Sequence, residues 1–136
     1  MERESAEIQG VVMVVSSVIS KARRAIEALY IGKCTVYVEE HALDTVTKIT
    51  KYSRKVLIQD QPCRLSYSTL KQNESGIYAS VTQVVKLFIA PELEIPAGSE
   101  IIVTQNNVTQ SYTRSGEPAI YQTHQEIVLD LYKEKA

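Results

Sequence analysis

The sequence predicts a mainly β (α+β) fold, a small β-barrel or sandwich of about seven strands with an N-terminal helix packed outside it. Three observations predict this. Apolar residues recur at helical spacing only in the first 32 residues. From residue 33 onward the apolar period falls to two, the period of a half-buried strand. Turn-forming residues then punctuate the chain at short intervals, as in small all-β architectures. The length of 136 residues suits one domain able to bury a core of its own. The expected organisation is one domain over 1–136, with a helix in 1–32, a β-barrel in 33–133 and a tail in 134–136.

The helix is read from Val11, Val15, Val18, Ala22, Ala25 and Leu29, which alternate steps of four and three and so share one stripe. Its start is expected between Ser5 and Val12, and Gly32 is the expected C-terminal stop. Lys21, Arg23 and Arg24 lie off the stripe near the negative end of the helix dipole. The stripe suits a core face, or a surface packed against a neighbouring subunit.

Cys34, Val36 and Val38 then alternate with Thr35, Tyr37 and Glu39 as a first strand. His41–Thr45 reads as a connection, Val46–Tyr52 and Val56–Gln59 as strands, and Asp60–Gln61–Pro62 as a stop. Cys63–Tyr67 resumes extended structure, and the polar stretch Ser68–Gly76 reads as a flexible loop. Thr82–Ile89 places Val85, Leu87 and Ile89 on one face. Ala97–Gly98 predicts a turn before Ser99–Thr104. Asn106–Asn107 predicts a tight hairpin to Val108–Thr113, because asparagine tolerates positive φ. After a turn at Ser115–Pro118, Ala119–Thr123 and Gln125–Tyr132 complete the strands, with Ile127, Leu129 and Leu131 on one face.

The composition argues against several function classes. A net charge of −1 does not suit a dedicated polyanion binder. Residues 1–86 carry 12 basic and 9 acidic side chains, whereas 87–136 carry 3 and 7, so two faces could meet different partners. Cys34 and Cys63 lack a CxxC or Cys/His context, which points to reduced, buried thiols and no zinc. The run Val11–Val15 with Val18 and Ile19 is too short to cross a bilayer, and the preceding Glu2, Arg3, Glu4 and Glu7 have the wrong sign for a signal peptide.

Catalysis finds no constellation to use, so no enzyme and no cofactor are expected. His41 reads as a solvated loop residue. His124 reads as a strand-start residue bonded to backbone. Glu39 and Glu40 are strand neighbours and point to opposite faces. Glu92 and Glu94 lie in a proline-bounded connection that suits a solvated edge.

Two segments carry a functional reading. His41–Lys55 gathers Lys48, Lys51, Arg54 and Lys55 against Asp44, which is either a solvated face or a basic hairpin for a polyanion. Lys71, Gln72, Asn73 and Glu74 lie in the second segment, expected to be a loop for a protein partner or for closing a channel.

The stretches Lys86–Pro91, Ile95–Ser99, Ser115–Ala119 and Tyr121 with His124–Glu126 resemble the small head-closure (stopper, or head–tail connector) proteins of tailed bacteriophages and prophages of Gram-positive hosts. Val56–Arg64 resembles the middle strands of that family, and the likeness covers roughly residues 33–133. The helix is longer than the family leads one to expect. The resemblance implies a structural protein of the virion neck, made in the host cytoplasm. It would form a homo-oligomeric ring below the portal and adaptor and above the tail terminator. Such a ring retains packaged double-stranded DNA without reading sequence, and no membrane is involved. Lys48, Lys51, Arg54 and Lys55 would then face the DNA channel. The alternatives are another neck or tail-terminator ring protein, or an OB-like nucleic-acid-binding module, for which Tyr52 with Lys51 and Arg54 is the local candidate.

Overall fold

The computed structural model describes residues 2–73 and 79–133, with side chains over 10–69 and 82–133. Helix α1 spans Glu2–Glu27 and is followed by β1 (Gly32–Leu43), β2 (Thr50–Asn73), β3 (Ala79–Ile89), β4 (Glu100–Gln105), β5 (Val108–Arg114), β6 (Ala119–Ile120) and β7 (Gln125–Leu131). All pairings are antiparallel, in the order β3-β2-β1-β4-β5-β7-β6, and β3 also pairs with β7. That last pairing closes six strands on themselves, with the two-residue β6 appended to β7. The architecture is one closed sheet, not two stacked layers.

The interior is built by strand alternation. Cys34 and Val36 of β1, Cys63 and Leu65 of β2, and Leu87 and Ile89 of β3 point inward with Ile101, Val103, Tyr112, Ile127 and Leu129. Ile95, from the connection before β4, plugs the same core. The alternating faces read from sequence hold where the sheet is closed and fail beyond it. Val38 is half-buried, and Leu131 is exposed at the end of β7.

Strand β2 departs furthest from the expected pattern. Val46–Ile49, expected to begin a strand, is the turn before β2, and the expected strands Thr50–Tyr52, Val56–Gln59 and Cys63–Tyr67 are one continuous strand of 24 residues. Its first half pairs with β1 and its second half with β3. Asp60–Gln61–Pro62 does not end the strand. Asp60 takes φ 47°, and the β1 register slips between Cys34 and Val36 and again between Val36 and Tyr37. Bulges of this kind bend a strand without breaking it, which lets β2 serve both neighbours. Ser68–Asn73, expected as a loop, is likewise strand, paired with Ala79–Val84.

Gly32 is not the helix stop. It opens β1, where an added Cβ would lie 3.0 Å from Gln105 Oε1, 3.2 Å from the Cys63 carbonyl oxygen and 3.3 Å from that of Thr104. The backbone approach there excludes a side chain. The hairpin at Asn106–Asn107 forms as expected, with φ of 52° and 63°. Gly98 turns with φ 81°.

Helix α1 lies outside the sheet, and none of its described side chains belongs to the core. Val11, Val15, Val18 and Leu29 of the apolar stripe are exposed, so the stripe is not a core face. The reason is geometric: closing the sheet leaves it no open apolar face for a helix to cover. The tie is near the C-terminal end, where the Arg23 guanidinium forks onto the Glu92 carboxylate, Nη2 to Oε2 at 2.8 Å. Arg23 Nε also donates to Glu27 at 2.7 Å.

Candidate interaction site

Both ends of β2 run past the closed part of the sheet. β4 covers β1 only over Lys33–Tyr37, so Val38–Leu43 and Thr50–Lys55 continue as a two-stranded ribbon. β7 covers β3 only over Val85–Ile89, so Ser68–Asn73 and Ala79–Val84 form a second ribbon.

The tip of the first ribbon is set by Asp44. Its Oδ1 accepts from Val46 N–H at 2.9 Å, its carbonyl accepts from Lys48 N–H at 2.8 Å, and its own N–H donates to Ile49 O at 3.1 Å. The Val46 N–H first, and then the Thr47 hydroxyl, hold the Asp44 carboxyl below its ordinary range. Lys48 completes the reversal with φ 55°. The turn leaves Leu43, Val46 and Ile49 in solvent, Val46 at 89% exposure. These apolar side chains at the ribbon tip are left uncovered, because none of the described residues shelters them.

The cations read from sequence are divided by the pairing. Glu39 sits opposite Arg54. Arg54 ion-pairs with Glu100 and lies 4.3 Å over the Tyr37 ring. Lys55 Nζ is 3.3 Å from Glu40. Lys48 and Lys51 form no ion pair among the described residues. Sequence reasoning bounded the cluster at His41 and so missed Glu39 and Glu40, which the β1 partner strand brings alongside. Counting both strands, four cations face three carboxylates (Glu39, Glu40 and Asp44), a surplus of one. The Tyr52, Lys51 and Arg54 cluster also divides: Tyr52 and Arg54 share a face, and Lys51 points to the other.

Of the second candidate set, Lys71, Gln72 and Asn73 lie in β2, opposite Val81, Ser80 and Ala79. They are strand and not loop, because β3 continues far enough to satisfy their backbone groups. Glu74 lies outside the described residues.

The remaining chemistry-bearing residues have structural partners. His41 is in β1, not a loop, edge-on to Tyr52 at 4.7 Å. His124 bonds side chains and not backbone: Nδ1 is 2.9 Å from Thr123 Oγ1, and Nε2 is 3.1 Å from Glu126 Oε2. Tyr121 and Phe88 stack on the His124 ring at 4.9 and 5.5 Å. With both nitrogens engaged and aromatic rings stacked on it, the imidazole locks the β6–β7 corner. Glu92 is the anchor of α1, held below the ordinary glutamate range by Arg23. A hydrogen bond with the Cys34 thiol, together with burial, pushes the Cys63 thiol up, so it stays protonated and unreactive. Among the described residues no group of three or more His, Cys, Asp or Glu could hold a metal ion, and no helix is long and apolar enough to cross a membrane.

An open cleft of about 1040 Å³ runs past Tyr67, Tyr112, Val85, Leu129 and Arg54. Burial, with the Tyr67 hydroxyl, pushes Tyr112 up to about 12, so it remains a neutral wall of that cleft at ordinary pH. Sequence reasoning also missed three buried polar residues, Ser99, Gln105 and Gln125. The Gln105 amide accepts from Leu65 N–H at 2.8 Å and donates to Leu65 O at 3.2 Å. It replaces the strand that β1, beginning opposite Cys63, does not supply. Gln125 Nε2 donates to Ala90 O at 2.7 Å and Leu93 O at 2.6 Å, pinning the connection between β3 and β4.

No family model matches the chain, and no curated protein matches it. Among solved structures it is similar to the phage-like element PBSX protein xkdH from Bacillus subtilis, with 17% identity over 73% of this chain and 91% of that one, and a TM-score of 0.46.

Proposed function

We propose that this chain is a structural protein of a tailed-phage particle, of the head-closure kind, that works by docking onto other protein surfaces. The observation that carries the reading is the contrast between a small closed core and two ribbons that run beyond it, one tipped by exposed Leu43, Val46 and Ile49. Strand length beyond closure adds little to the core, whereas it extends the reach of a subunit toward its neighbours. The sequence resemblance over residues 33–133 supplies the setting: a ring in the virion neck, between portal–adaptor and tail terminator, that retains packaged DNA.

In this reading the apolar tip of the β1–β2 ribbon is the protein-docking element. Contact with DNA falls to Lys48 and Lys51, since Arg54 and Lys55 are engaged by Glu100 and Glu40. Repeated around a ring, two cations per subunit still give a positive girdle for a phosphate backbone. The test is to change Leu43, Val46 and Ile49 together to Ser and, separately, Lys48 and Lys51 together to Gln. The first variant is expected to fold and to be missing from purified particles. The second is expected to join particles whose tailless heads leak DNA. Incorporation of the first variant at the parental level would overturn the docking role. Full DNA retention by the second would overturn the channel role.

A further inference from the structure

Helix α1 leaves an apolar band uncovered. Val11, Val14 and Val18, which share one face of the helix, are each more than half exposed, Val14 at 64%. The helix is 26 residues long, and the band sits at its middle. Its tie to the sheet, through Arg23 and Glu92, is well beyond the band.

We propose that α1 pairs with α1 of a second copy of the chain, antiparallel and crossing at Val14. The argument is the symmetry of one helical face. Positions 7, 10, 11, 14, 17, 18 and 21 repeat at steps of three and four and so form a single seam. Turned about a two-fold axis at Val14, position 11 meets 17 and position 10 meets 18. Gly10 therefore receives Val18, and the space is there, since a Cβ added at Gly10 meets nothing within 4 Å. The ends of the seam are opposite in charge: position 7 is Glu and position 21 is Lys, while position 4 is Glu and position 24 is Arg. Antiparallel pairing sets Glu against Lys and Glu against Arg. A parallel pair would set like against like, which is unfavourable at such spacings. A self-complementary patch of this kind is what an isologous two-fold contact requires. The inference concerns the free chain and goes beyond the neck reading, which stands or falls on particle incorporation.

The full-length protein at micromolar concentration is expected to sediment at twice the mass of its 15.2 kDa chain. Val14→Glu is expected to raise the dissociation constant at least about tenfold. Thermal unfolding of its sheet should be unchanged, because the exposed Val14 takes no part in the core. Orientation is read by cross-linking. A mixture of Gly10→Cys and Val18→Cys chains should form the mixed disulfide under mild oxidation by a small-molecule disulfide, and neither variant alone should link to itself. The native Cys34 and Cys63 are buried and stay out of the reaction. A monomeric parent, a dimer that survives Val14→Glu, or self-linking of Gly10→Cys would each overturn the proposal.

Discussion

The closed part of the sheet and the ribbons that leave it are built from the same strands by different rules. Inside closure, alternate side chains of β1 to β4 and β7, with Tyr112 of β5, meet the same small interior, and the polar exceptions Gln105 and Gln125 each have two backbone partners. Beyond closure, β1 and β2 keep pairing each other but lose the opposite wall. Leu43, Val46 and Ile49 therefore remain in solvent although their side chains are as apolar as those of the core. Hydrophobicity places a residue inside only when the fold supplies a second surface. The comparison separates residues that stabilise the chain from residues left available to partners.

The largest effect should come from the interior. Leu87→Ala or Ile127→Ala removes a side chain with no solvent exposure and should cost about 2–5 kcal/mol, read as a shifted urea midpoint. A loss below about 1 kcal/mol would show that the closed sheet is loosely packed. Next comes the polar staple. Gln105→Leu keeps the bulk but strands the Leu65 N–H and C=O, at a cost of about 1–3 kcal/mol. Restoration by Gln105→Glu is not expected, since a carboxylate cannot donate to Leu65 O.

A smaller, local effect should follow acidification. The Glu92 carboxyl is held below its ordinary 4.5 by Arg23. The tie of α1 is therefore fully present above the unfolded value and is lost as pH falls through the lower folded one. Hydrogen exchange at Ala28–Ile31, taken relative to the intrinsic amide rate at each pH, should accelerate in that acidic window. In Glu92→Gln it should be fast already at neutral pH. Equal rates in parent and variant at neutral pH would show that the ion pair does not hold the helix.

The smallest effect should be at the ribbon tip. Val46→Ser should change global stability by no more than about 0.5 kcal/mol, the surface range, in the same urea titration that registers Leu87→Ala. A larger loss would mean that the tip folds back on the core, and the line between the two regions would have to be redrawn.

Much of the fold was legible because local rules and tertiary structure agree there. The helical period of residues 11–29, the alternation over 34–38, 85–89 and 127–129, and the Asn106–Asn107 hairpin depend on near neighbours in the chain. The site was less legible. Lys48, Lys51, Arg54 and Lys55 read as a basic cluster because Glu39 and Glu40 are far enough back in sequence to be left out, and only the β1–β2 register returns them.

The sequence by itself determined the N-terminal helix, the Asn106–Asn107 hairpin and most of the inward faces of the closed strands. Each follows from side-chain period and residue chemistry within short windows. Only the tertiary structure decided that β2 is one bent strand shared by two neighbours, that Lys71, Gln72 and Asn73 lie in it, and that the stripe of α1 is bare. These depend on how long each partner strand is and on whether the sheet closes, and both are set by contacts between residues distant in the chain. A bulge at Asp60 and a pairing between β3 and β7 leave no periodic trace in sequence, yet they fix which apolar residues find a partner within the chain.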